Sequence, residues 1–455
     1  MLARFKVIVA CDARNGIGQA GKIPWSLPKD FKFFKAKTIG QGNNAVVMGR
    51  ETFLGLGQLP KRTMVVISST LRAEEHPGVL IYPSLIEALI QLSNPEFDDI
   101  FIAGGERLYT EALTKYGYLC NKVYVSRVHG EFECDRHFPY HILDRFPSEV
   151  KLKTAEFTVF SFRFEVQHPE MAFLSLVKSV VSGGDKKTDR TGVGTISKFG
   201  THLEFDISGS IPALTSKRLA ITAVVKELLW MISGSTDSRR LESEGVKIWK
   251  ANSSREFLDQ RGLTGLAEGD IGCGYGFQWR HWGAEYRGCS QEYAGEGVDQ
   301  LESVIEDIKT NPDSRRLIVS AWNVGQLSGM ALPPCHLLYQ FNVAGDRLDC
   351  QVYQRSADLF LGVPFNLLFY SVLTYLVGHL TGLKPRKLSF AFGDAHVYST
   401  HLEAVSKLLG RTPRPWPTLS LVGCQDVKAI SDFRLEHIRI EGYTSWDAIQ
   451  APMAV

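Results

Sequence analysis

Two short segments hold the residues best suited to chemistry. In Leu332-Pro333-Pro334-Cys335-His336 the paired prolines fix an extended approach to the cysteine and can present its thiol rigidly. A thiolate needs a nearby cation to form near neutral pH, and Arg355 in Tyr353-Gln354-Arg355-Ser356 is a candidate. Taken alone, a lone cysteine is more often buried and inert. A Cys–His protease is conceivable, but sequence neighbours such as Cys335 and His336 rarely make a working dyad. The second segment is Leu27-Pro28-Lys29-Asp30, which opens a helix with Phe31 and Phe34 following. Asp30 and Phe34 share a face. A carboxyl beside an aromatic wall resists ionisation and suits a protonatable heterocycle such as a 2-aminopyrimidine. The plainer reading is an aspartate capping the helix. Glu227, in Val224-Val225-Lys226-Glu227-Leu228-Leu229-Trp230-Met231, can move protons if its apolar neighbours enclose it; facing water, it is only a surface residue.

Anion-binding candidates are spread along the chain. Arginines lie in the loop Thr188-Asp189-Arg190-Thr191-Gly192-Val193-Gly194-Thr195 and in Asp313-Ser314-Arg315-Arg316, before an apolar strand at Leu317–Ala321. Each alone reads equally well as solvated surface. In Asp394-Ala395-His396-Val397-Tyr398 an extended backbone puts His396 and Tyr398 on one face, able to bond a sugar or to form a polar pair in the core. Glycines mark two strand-to-helix junctions, Val46-Val47-Met48-Gly49-Arg50-Glu51-Thr52 and Ile102-Ala103-Gly104-Gly105-Glu106-Arg107. Such junctions bring backbone N–H groups close to a phosphate, although neither is the GxGxxG fingerprint and a tight turn explains each as well. Arg50, with Ser68 and Ser69 after another strand, can hold an extra phosphate, which favours NADP over NAD.

These residues need a framework. The 455 residues are too many for one ordinary core, and 44% apolar with 22% charged residues is the composition of a soluble globular protein. A net charge of +2 leaves no whole-molecule attraction to nucleic acid or membrane, so anionic ligands must be held by local clusters. Cysteines 11, 120, 134, 273, 289, 335, 350 and 424 form no CxxC pair. This pattern argues against a disulfide framework or metal site and for a reducing, cytoplasmic setting. Met1–Ala10 has too short an apolar run for a signal peptide. Strands are predicted at Lys6–Ala10, Ala45–Met48, Thr63–Ile67, Asp99–Ala103 and Lys122–Val128, with a closing β-rich pair at about Phe157–Val166. Helices are predicted at Asp30–Lys37, Ser84–Leu92 and Glu106–Leu113. The alternation implies an α/β domain with a twisted, mostly parallel sheet and flanking helices. Gln167-His168-Pro169 breaks this pattern, dividing the chain into residues 1–167 and a larger α/β domain, 168–455. The apolar run Val363–Leu380, interrupted by Asn366, Ser371, Thr374 and His379, reads as a buried helix rather than a membrane span.

Taken in order, Val9-Ala10, Asn15-Gly16-Ile17-Gly18, Ile23-Pro24-Trp25-Ser26-Leu27-Pro28-Lys29-Asp30-Phe31, the Gly49 and Gly104-Gly105 junctions and Arg107-Leu108-Tyr109 closely resemble dihydrofolate reductase over residues 4–166. The resemblance implies that Asp30 binds the pteridine and assists its protonation. Ile17, Trp25, Phe31 and Phe34 then shape the folate pocket, and Arg62 takes the α-carboxylate of the folate glutamate. The NADPH side comprises Ala10, Ile17, Gly49, Arg50, Thr52, Ser68, Ser69, Ala103, Gly104, Gly105, Tyr109 and Ser126, with Ser126 also supporting Asp30. It further implies a cis Gly104–Gly105 peptide. Glu51 departs from the pattern: a basic residue or histidine is expected beside the cofactor phosphates, and an acid there weakens the hold on NADPH.

From about 168 onward, Asp189-Arg190-Thr191-Gly192, Lys226-Glu227-Leu228-Leu229-Trp230, Tyr275-Gly276-Phe277-Gln278-Trp279-Arg280, Pro333-Pro334-Cys335-His336, Gln354-Arg355-Ser356-Ala357-Asp358, Gly362-Val363-Pro364-Phe365-Asn366 and Gly393-Asp394-Ala395-His396 closely resemble thymidylate synthase. That resemblance implies Cys335 as the nucleophile toward dUMP, with 5,10-methylenetetrahydrofolate as one-carbon donor and no metal. Arg190, Arg355 and Ser356 hold the phosphate, and Arg315 and Arg316 reach the phosphate of the other subunit in a homodimer built through this domain. Asn366 reads the uracil edge, His396 and Tyr398 the ribose, and His336 and Gln354 complete the dUMP contacts. Asp358 contributes to the folate pocket, Glu227 organises proton transfer, and Trp249, Asn252 and Tyr275 line the site. Cys273 and Trp282 stand where proline and phenylalanine are expected. The pair in this order is similar to fusions of protists and plants, with a shorter junction. A hydroxymethylase is the nearest enzymatic rival. Asn366 favours uracil, because an amide both donates and accepts. A dead scaffold or an RNA-binding regulator fits poorly with intact Asp30, Glu227 and Cys335 and near-neutral charge.

Overall fold

The computed structural model describes residues 3–93, 97–188 and 192–453. The chain divides into two compact units, Met1–His168 and Pro169–Val455.

The first unit has strands β1 (Phe5–Cys11), β2 (Gly16–Gly18), β3 (Asn44–Gly49), β4 (Thr63–Ile67), β5 (Val79–Tyr82), β6 (Asp99–Ile102), β7 (Cys120–Val128), β8 (Arg136–His137), β9 (Ser148–Lys153) and β10 (Phe157–Arg163). Its helices are α1 (Pro28–Ile39), α2 (Arg50–Leu56), α3 (Leu85–Gln91) and α4 (Glu106–Thr114). Eight strands form one sheet in the order β5-β4-β3-β6-β1-β7-β10-β9, parallel except for the two pairs made by β10. The reason lies in the sequence of the central strands. Asn-Ala-Val-Val-Met in β3 is buried on both faces, as a sheet covered by helices on each side requires. The closing pair differs from the expectation at Phe157–Val166: β10 ends at Arg163, and its partner is the earlier β9, turning back through residues 154–156. β9 reads Ser-Glu-Val-Lys-Leu-Lys, exposed throughout. Its charged residues suit an edge strand and hid it from an apolar criterion. Helix α1 begins with Pro28 at its first turn and Leu27 as its cap. Asp30 is therefore inside the first turn, not the capping residue of the plainer reading.

The second unit carries a six-stranded sheet in the order β11-β12-β16-β15-β14-β13. These are β11 (Asp185–Lys187), β12 (Thr195–Asp206), β13 (Ile318–Ser320), β14 (His336–Ala344), β15 (Arg347–Asp358) and β16 (Lys384–Tyr398); β17 (Thr418–Leu421) and β18 (Ile438–Glu441) pair separately. The helices are α5 (Glu170–Gly183), α6 (Ile221–Ile232), α7 (Ser238–Ser243), α8 (Arg255–Gln260), α9 (Gly276–Arg280), α10 (Gln300–Thr310), α11 (Gly362–Thr381) and α12 (Leu402–Leu409). The apolar run near 363–380 is α11, buried along most of its length and packed on β15 and β16. Two of its polar interruptions are satisfied within the helix: Ser371 and Thr374 donate to the carbonyls of Leu367 and Tyr370 at 2.7 and 2.6 Å. Glycine at 382, with φ of 72°, ends it in the left-handed conformation.

One irregularity of this sheet sets up the site. Pairing passes over Gly393 opposite both Gly200 and Arg355. A Cβ at Gly393 would lie 2.8 Å from the Arg355 carbonyl oxygen, so only glycine fits. Across this line the alternation slips by one residue. On β16 the core residues are Leu388, Phe390 and Phe392 before it, then Ala395 and Val397; on β15 they are Leu348, Cys350 and Val352, then Ala357. The slip turns Ser356, Asp358, Asp394, His396 and Tyr398 together to the other face, while the pairing register itself runs on unchanged through Gly393, as when neighbouring strands carry an irregularity at the same level.

Candidate active sites

In the first unit, Asp30 projects from α1 toward Ser126 on β7, whose hydroxyl donates to it. Burial pushes the carboxyl above the usual aspartate range, and the Ser126 bond partly opposes the rise. Phe34 lies one turn along, with Phe31 edge-on to it at 6.5 Å between centroids; Phe31 itself stays exposed. Trp25 leans on Phe132 at 5.2 Å, and Ile17 on β2 is half-buried. Arg62 lies 6.0 Å over the Phe34 ring and donates to Thr38 Oγ1 at 2.7 Å and to the Pro60 carbonyl. Among the described residues it forms no ion pair, which leaves it suited to an incoming carboxylate.

The glycine cradle sits at the ends of β3 and β6. Gly104–Gly105 is a cis peptide, as the resemblance implied, and Gly49 N–H donates to the Gly104 carbonyl at 2.7 Å. A Cβ on Gly104 would approach the Tyr109 hydroxyl to 3.3 Å, and one on Gly105 the Thr52 hydroxyl to 3.3 Å. The backbone is thereby bare where a dinucleotide must approach, and free N–H groups at the start of α4 lie beside it. These residues fit a dinucleotide. Tyr109, expected as a cofactor contact, is buried and gives its hydroxyl to the Ile8 carbonyl at 2.8 Å, so it supports the cradle from behind. Ala10 and Ala103 are half-buried at their strand ends. Ser68 caps the backbone N–H groups of Thr70 and Leu71, and Ser69 is exposed. Arg50 is already bonded to Glu51 and Thr70.

In the second unit the thiol loop is fastened on several sides. Arg355 Nε and Nη2 donate to the carbonyls of Pro334 and Pro333 at 2.9 and 2.8 Å, and its backbone N–H to the Cys335 carbonyl at 2.8 Å. Tyr275 Oη accepts the Cys335 N–H at 2.8 Å. Tyr275 itself has a positive φ of 38°, uncommon for a non-glycine residue and typical of constrained functional positions. The Arg355 guanidinium also lies 5.3 Å from the Trp322 ring, a cation–π contact that fixes its fourth side. His336 differs from its expected place among the dUMP contacts. Its buried ring packs against Tyr275, Phe369 and Tyr370, Nδ1 meets the Tyr370 hydroxyl at 2.7 Å, and burial pushes it down to about 3. It is neutral at physiological pH and cannot supply the cation a thiolate needs; Arg355 can.

Glu227 keeps some accessible surface, but its carboxyl is enclosed and pushed up to about 7 by burial, opposed by a 2.9 Å bond from Trp249 Nε1. It is poised for proton transfer near neutral pH. Asn366 Nδ2 donates to Gln354 Oε1 at 3.1 Å, and Gln354 Nε2 to the Ser356 carbonyl. This chain fixes the amide's orientation, leaving one N–H and the Oδ1 acceptor for a ligand. His396 Nδ1 lies 3.1 Å from Asp394 Oδ1, and a carboxylate only accepts, so Nδ1 carries the proton and Nε2 is left for a ligand. The His396 and Tyr398 rings are 5.1 Å apart on one face. Asp394, also bridged by Lys187 at 2.9 Å, is held down to about 2. Asp358 Oδ1 accepts from the N–H groups of Phe360 and Leu361. Asn252 sits in a short turn after Trp249.

Arg190 lies outside the described residues. Arg315 and Arg316 do not join this cluster: they are exposed ahead of β13 and form no ion pair among the described residues. Spacing gave no pointer to Trp322, Tyr370, or the buried Lys217, which bonds the Phe360 carbonyl. Asp394 was visible two residues before His396, as a carboxylate able to set that ring's tautomer.

The fold and the two sites define a two-domain folate enzyme, a nicotinamide-dependent reductase followed by a nucleotide methyltransferase. Residues 4–168 match the family described as Dihydrofolate reductase, and residues 171–455 the family described as Thymidylate synthase. The chain is 37% identical over 467 residues to the bifunctional dihydrofolate reductase-thymidylate synthase of Paramecium tetraurelia, covering 99% of both chains. It is 39% identical to the proteins of the same description from Daucus carota (99% of this chain, 96% of that one) and Leishmania major (100% and 96%). The chain belongs to the bifunctional dihydrofolate reductase–thymidylate synthase family. It is an oxidoreductase and a methyltransferase: it methylates dUMP to dTMP reductively with 5,10-methylenetetrahydrofolate and reduces the resulting dihydrofolate with NADPH.

Proposed function

We propose that the two reactions run at Cys335 and at Asp30. The Cys335 sulfur adds to C6 of dUMP, and the electron pair moves to C5 as an enolate. C5 then takes the one-carbon unit from methylenetetrahydrofolate, loses its proton and, as the folate is expelled, becomes an exocyclic methylene. Hydride from the tetrahydrofolate reduces that methylene to methyl, the sulfur leaves, and dTMP and dihydrofolate result. Glu227 organises the proton transfers. Asn366, oriented by Gln354, reads the uracil edge; His396 and Tyr398 hold the ribose; Arg190, Arg355 and Ser356 hold the phosphate. Asp358, Trp249 and Asn252 border the folate. In the reductase, Asp30 grips the pteridine and feeds its proton, Phe31, Phe34, Trp25 and Ile17 wall the ring, and Arg62 takes the glutamate α-carboxylate. NADPH supplies the hydride when bound; Gly49, Thr52, Gly104 and Gly105 set its position, and alignment is the protein's contribution.

The observation that carries this reading is the fastening of the Cys335 loop by Arg355, a permanent cation bonded to the carbonyls of the two residues that precede the thiol. We further read the working form as a homodimer through the second unit. The sheet face opposite α11 exposes Ile318, Tyr353 and Phe199, the last at 77% of its surface, and Arg315 and Arg316 are available for a neighbouring subunit's phosphate. Eight free cysteines suit a cytoplasmic setting, and the placement of α11 in the core suits a chain with no membrane span. The chemistry assigned here calls for no metal. Purified protein given dUMP, methylenetetrahydrofolate and NADPH should form dTMP with NADPH consumption that stops when dUMP is left out. NADPH loss independent of dUMP, or no dTMP, would defeat the reading.

A further inference from the structure

The corner formed by the ends of β3 and β4 is built differently from a simple phosphate grip. Arg50 Nε and Nη2 both donate to Glu51 Oε1, at 2.9 and 2.7 Å, and Nη1 donates to Thr70 Oγ1 at 2.8 Å. Ser68 Oγ accepts the N–H groups of Thr70 and Leu71 and lies 3.3 Å from Thr70 Oγ1. The guanidinium and hydroxyls suited to an extra phosphate are thus occupied with one another and with a carboxylate. The two segments meeting here, 49–52 and 68–76, carry Arg50 and Arg72 against Glu51, Glu74 and Glu75. A phosphate dianion entering this corner must displace the Glu51 carboxylate from Arg50. A ribose 2′-hydroxyl is neutral and can donate to the Glu51 carboxylate, which is how acids beside a ribose select dinucleotides lacking the 2′-phosphate.

We propose that Glu51 is a specificity-determining residue of the reductase, holding Arg50 so that the site accepts NADH nearly as readily as NADPH. The inference rests on the assignment of the Gly49 and Gly104–Gly105 cradle to a dinucleotide. An acid in the first turn of α2 also suits the helix, and the test separates the two roles. Equilibrium binding of NADPH, NADH, 2′,5′-ADP and 5′-AMP to the full chain is measured by fluorescence quenching or calorimetry at fixed low salt. The native protein should bind NADPH and NADH within about tenfold of one another. Glu51→Gln should tighten NADPH and 2′,5′-ADP by about tenfold and leave NADH and 5′-AMP within about twofold, since only the phosphate gains a charge-assisted partner. Adding Arg50→Gln to that variant should erase the gain. A native preference for NADPH above about a hundredfold, unchanged by Glu51→Gln, would overturn the role of Glu51 alone. A lowered melting temperature in Glu51→Gln with no change in the ratio would do the same. Failure of both dinucleotides to bind would overturn the site assignment itself.

Discussion

Asp30 and Cys335 obtain their reactivity by different means. Asp30 takes its surroundings from one helix and the strand facing it: Phe31 and Phe34 follow it on α1, Ser126 answers from β7, and burial does most of the work of raising its pKa. Cys335 depends on groups contributed by segments from 227 to 398, with Arg355, Tyr275 and Trp322 each fixing part of its loop. A site made by burial beside one helix should respond to its own residue and little else. A site made by a network should respond to partners that never touch substrate, and not additively.

The sharpest separation comes from replacing the nucleophile. Cys335→Ser should lower dTMP formation by about four orders of magnitude or more and leave dihydrofolate reduction unchanged. Loss of both activities in a folded protein would break the division into two independent sites.

Asp30→Asn is the converse, smaller because hydride delivery and alignment remain. Reduction of dihydrofolate at pH 7 should fall by about 10²–10³-fold, with dTMP formation intact. The native rate should decline as pH rises through the carboxyl's elevated range, because the protonated form is what burial favours, and the variant should lose that slope. Full reductase activity at neutral pH would remove Asp30 from the mechanism.

Glu227 sharpens the comparison by being a buried carboxyl inside the network. Glu227→Gln should slow dTMP formation by about a hundredfold. Its pKa, raised to about 7 in the folded chain, lies above that of the unfolded chain, so the folded form binds more protons in between. Native stability therefore falls as pH rises from the ordinary glutamate range to about 7 and then levels off. The variant lacks this loss, so relative to native it should gain up to about 3 kcal/mol between pH 4.5 and pH 8 in urea denaturation. A pH-independent difference would mean that the carboxyl is not raised.

How much of each site was readable follows from the same contrast. The parallel sheet was legible because β3, β4 and β7 are dense apolar runs bounded by turns. Asp30 with Phe34 is a spacing rule within one helix, and the glycine pair marks its own junction. β9 was not legible, since edge exposure replaces its apolar signal with charge. In the second unit, Cys335 and Arg355 were identifiable singly, but their fastening runs through proline carbonyls, which no side-chain pattern reveals. The switch of alternation at Gly393 was likewise hidden: that glycine answers to the backbone of Arg355 on the adjacent strand, 38 positions earlier in sequence. The resemblance placed His336 among the dUMP contacts, yet the irregular register between His336 and Leu338 at the start of β14 leaves its ring buried against Tyr275, Phe369 and Tyr370.

Trp322 gives the smallest and most discriminating expectation. It directly follows the predicted strand Leu317–Ala321 and carries no titratable group, and its ring makes a cation–π contact to the Arg355 guanidinium at 5.3 Å. Such a contact is worth about 1 kcal/mol when partly desolvated. Trp322→Leu keeps an apolar but smaller side chain while removing the ring's negative face, so Arg355 keeps its two carbonyl partners but loses one constraint on its orientation. The thiol should then react with iodoacetamide about fivefold more slowly at pH 7, and kcat/KM for dUMP should fall by a similar factor. Dihydrofolate reduction should not change. Moving iodoacetamide reactivity and kcat/KM together identifies a residue that acts through the cation. A loss of kcat/KM with unaltered thiol reactivity would place Trp322 in packing alone, and the dependence of Cys335 on distant segments would then stop at Arg355 and Tyr275.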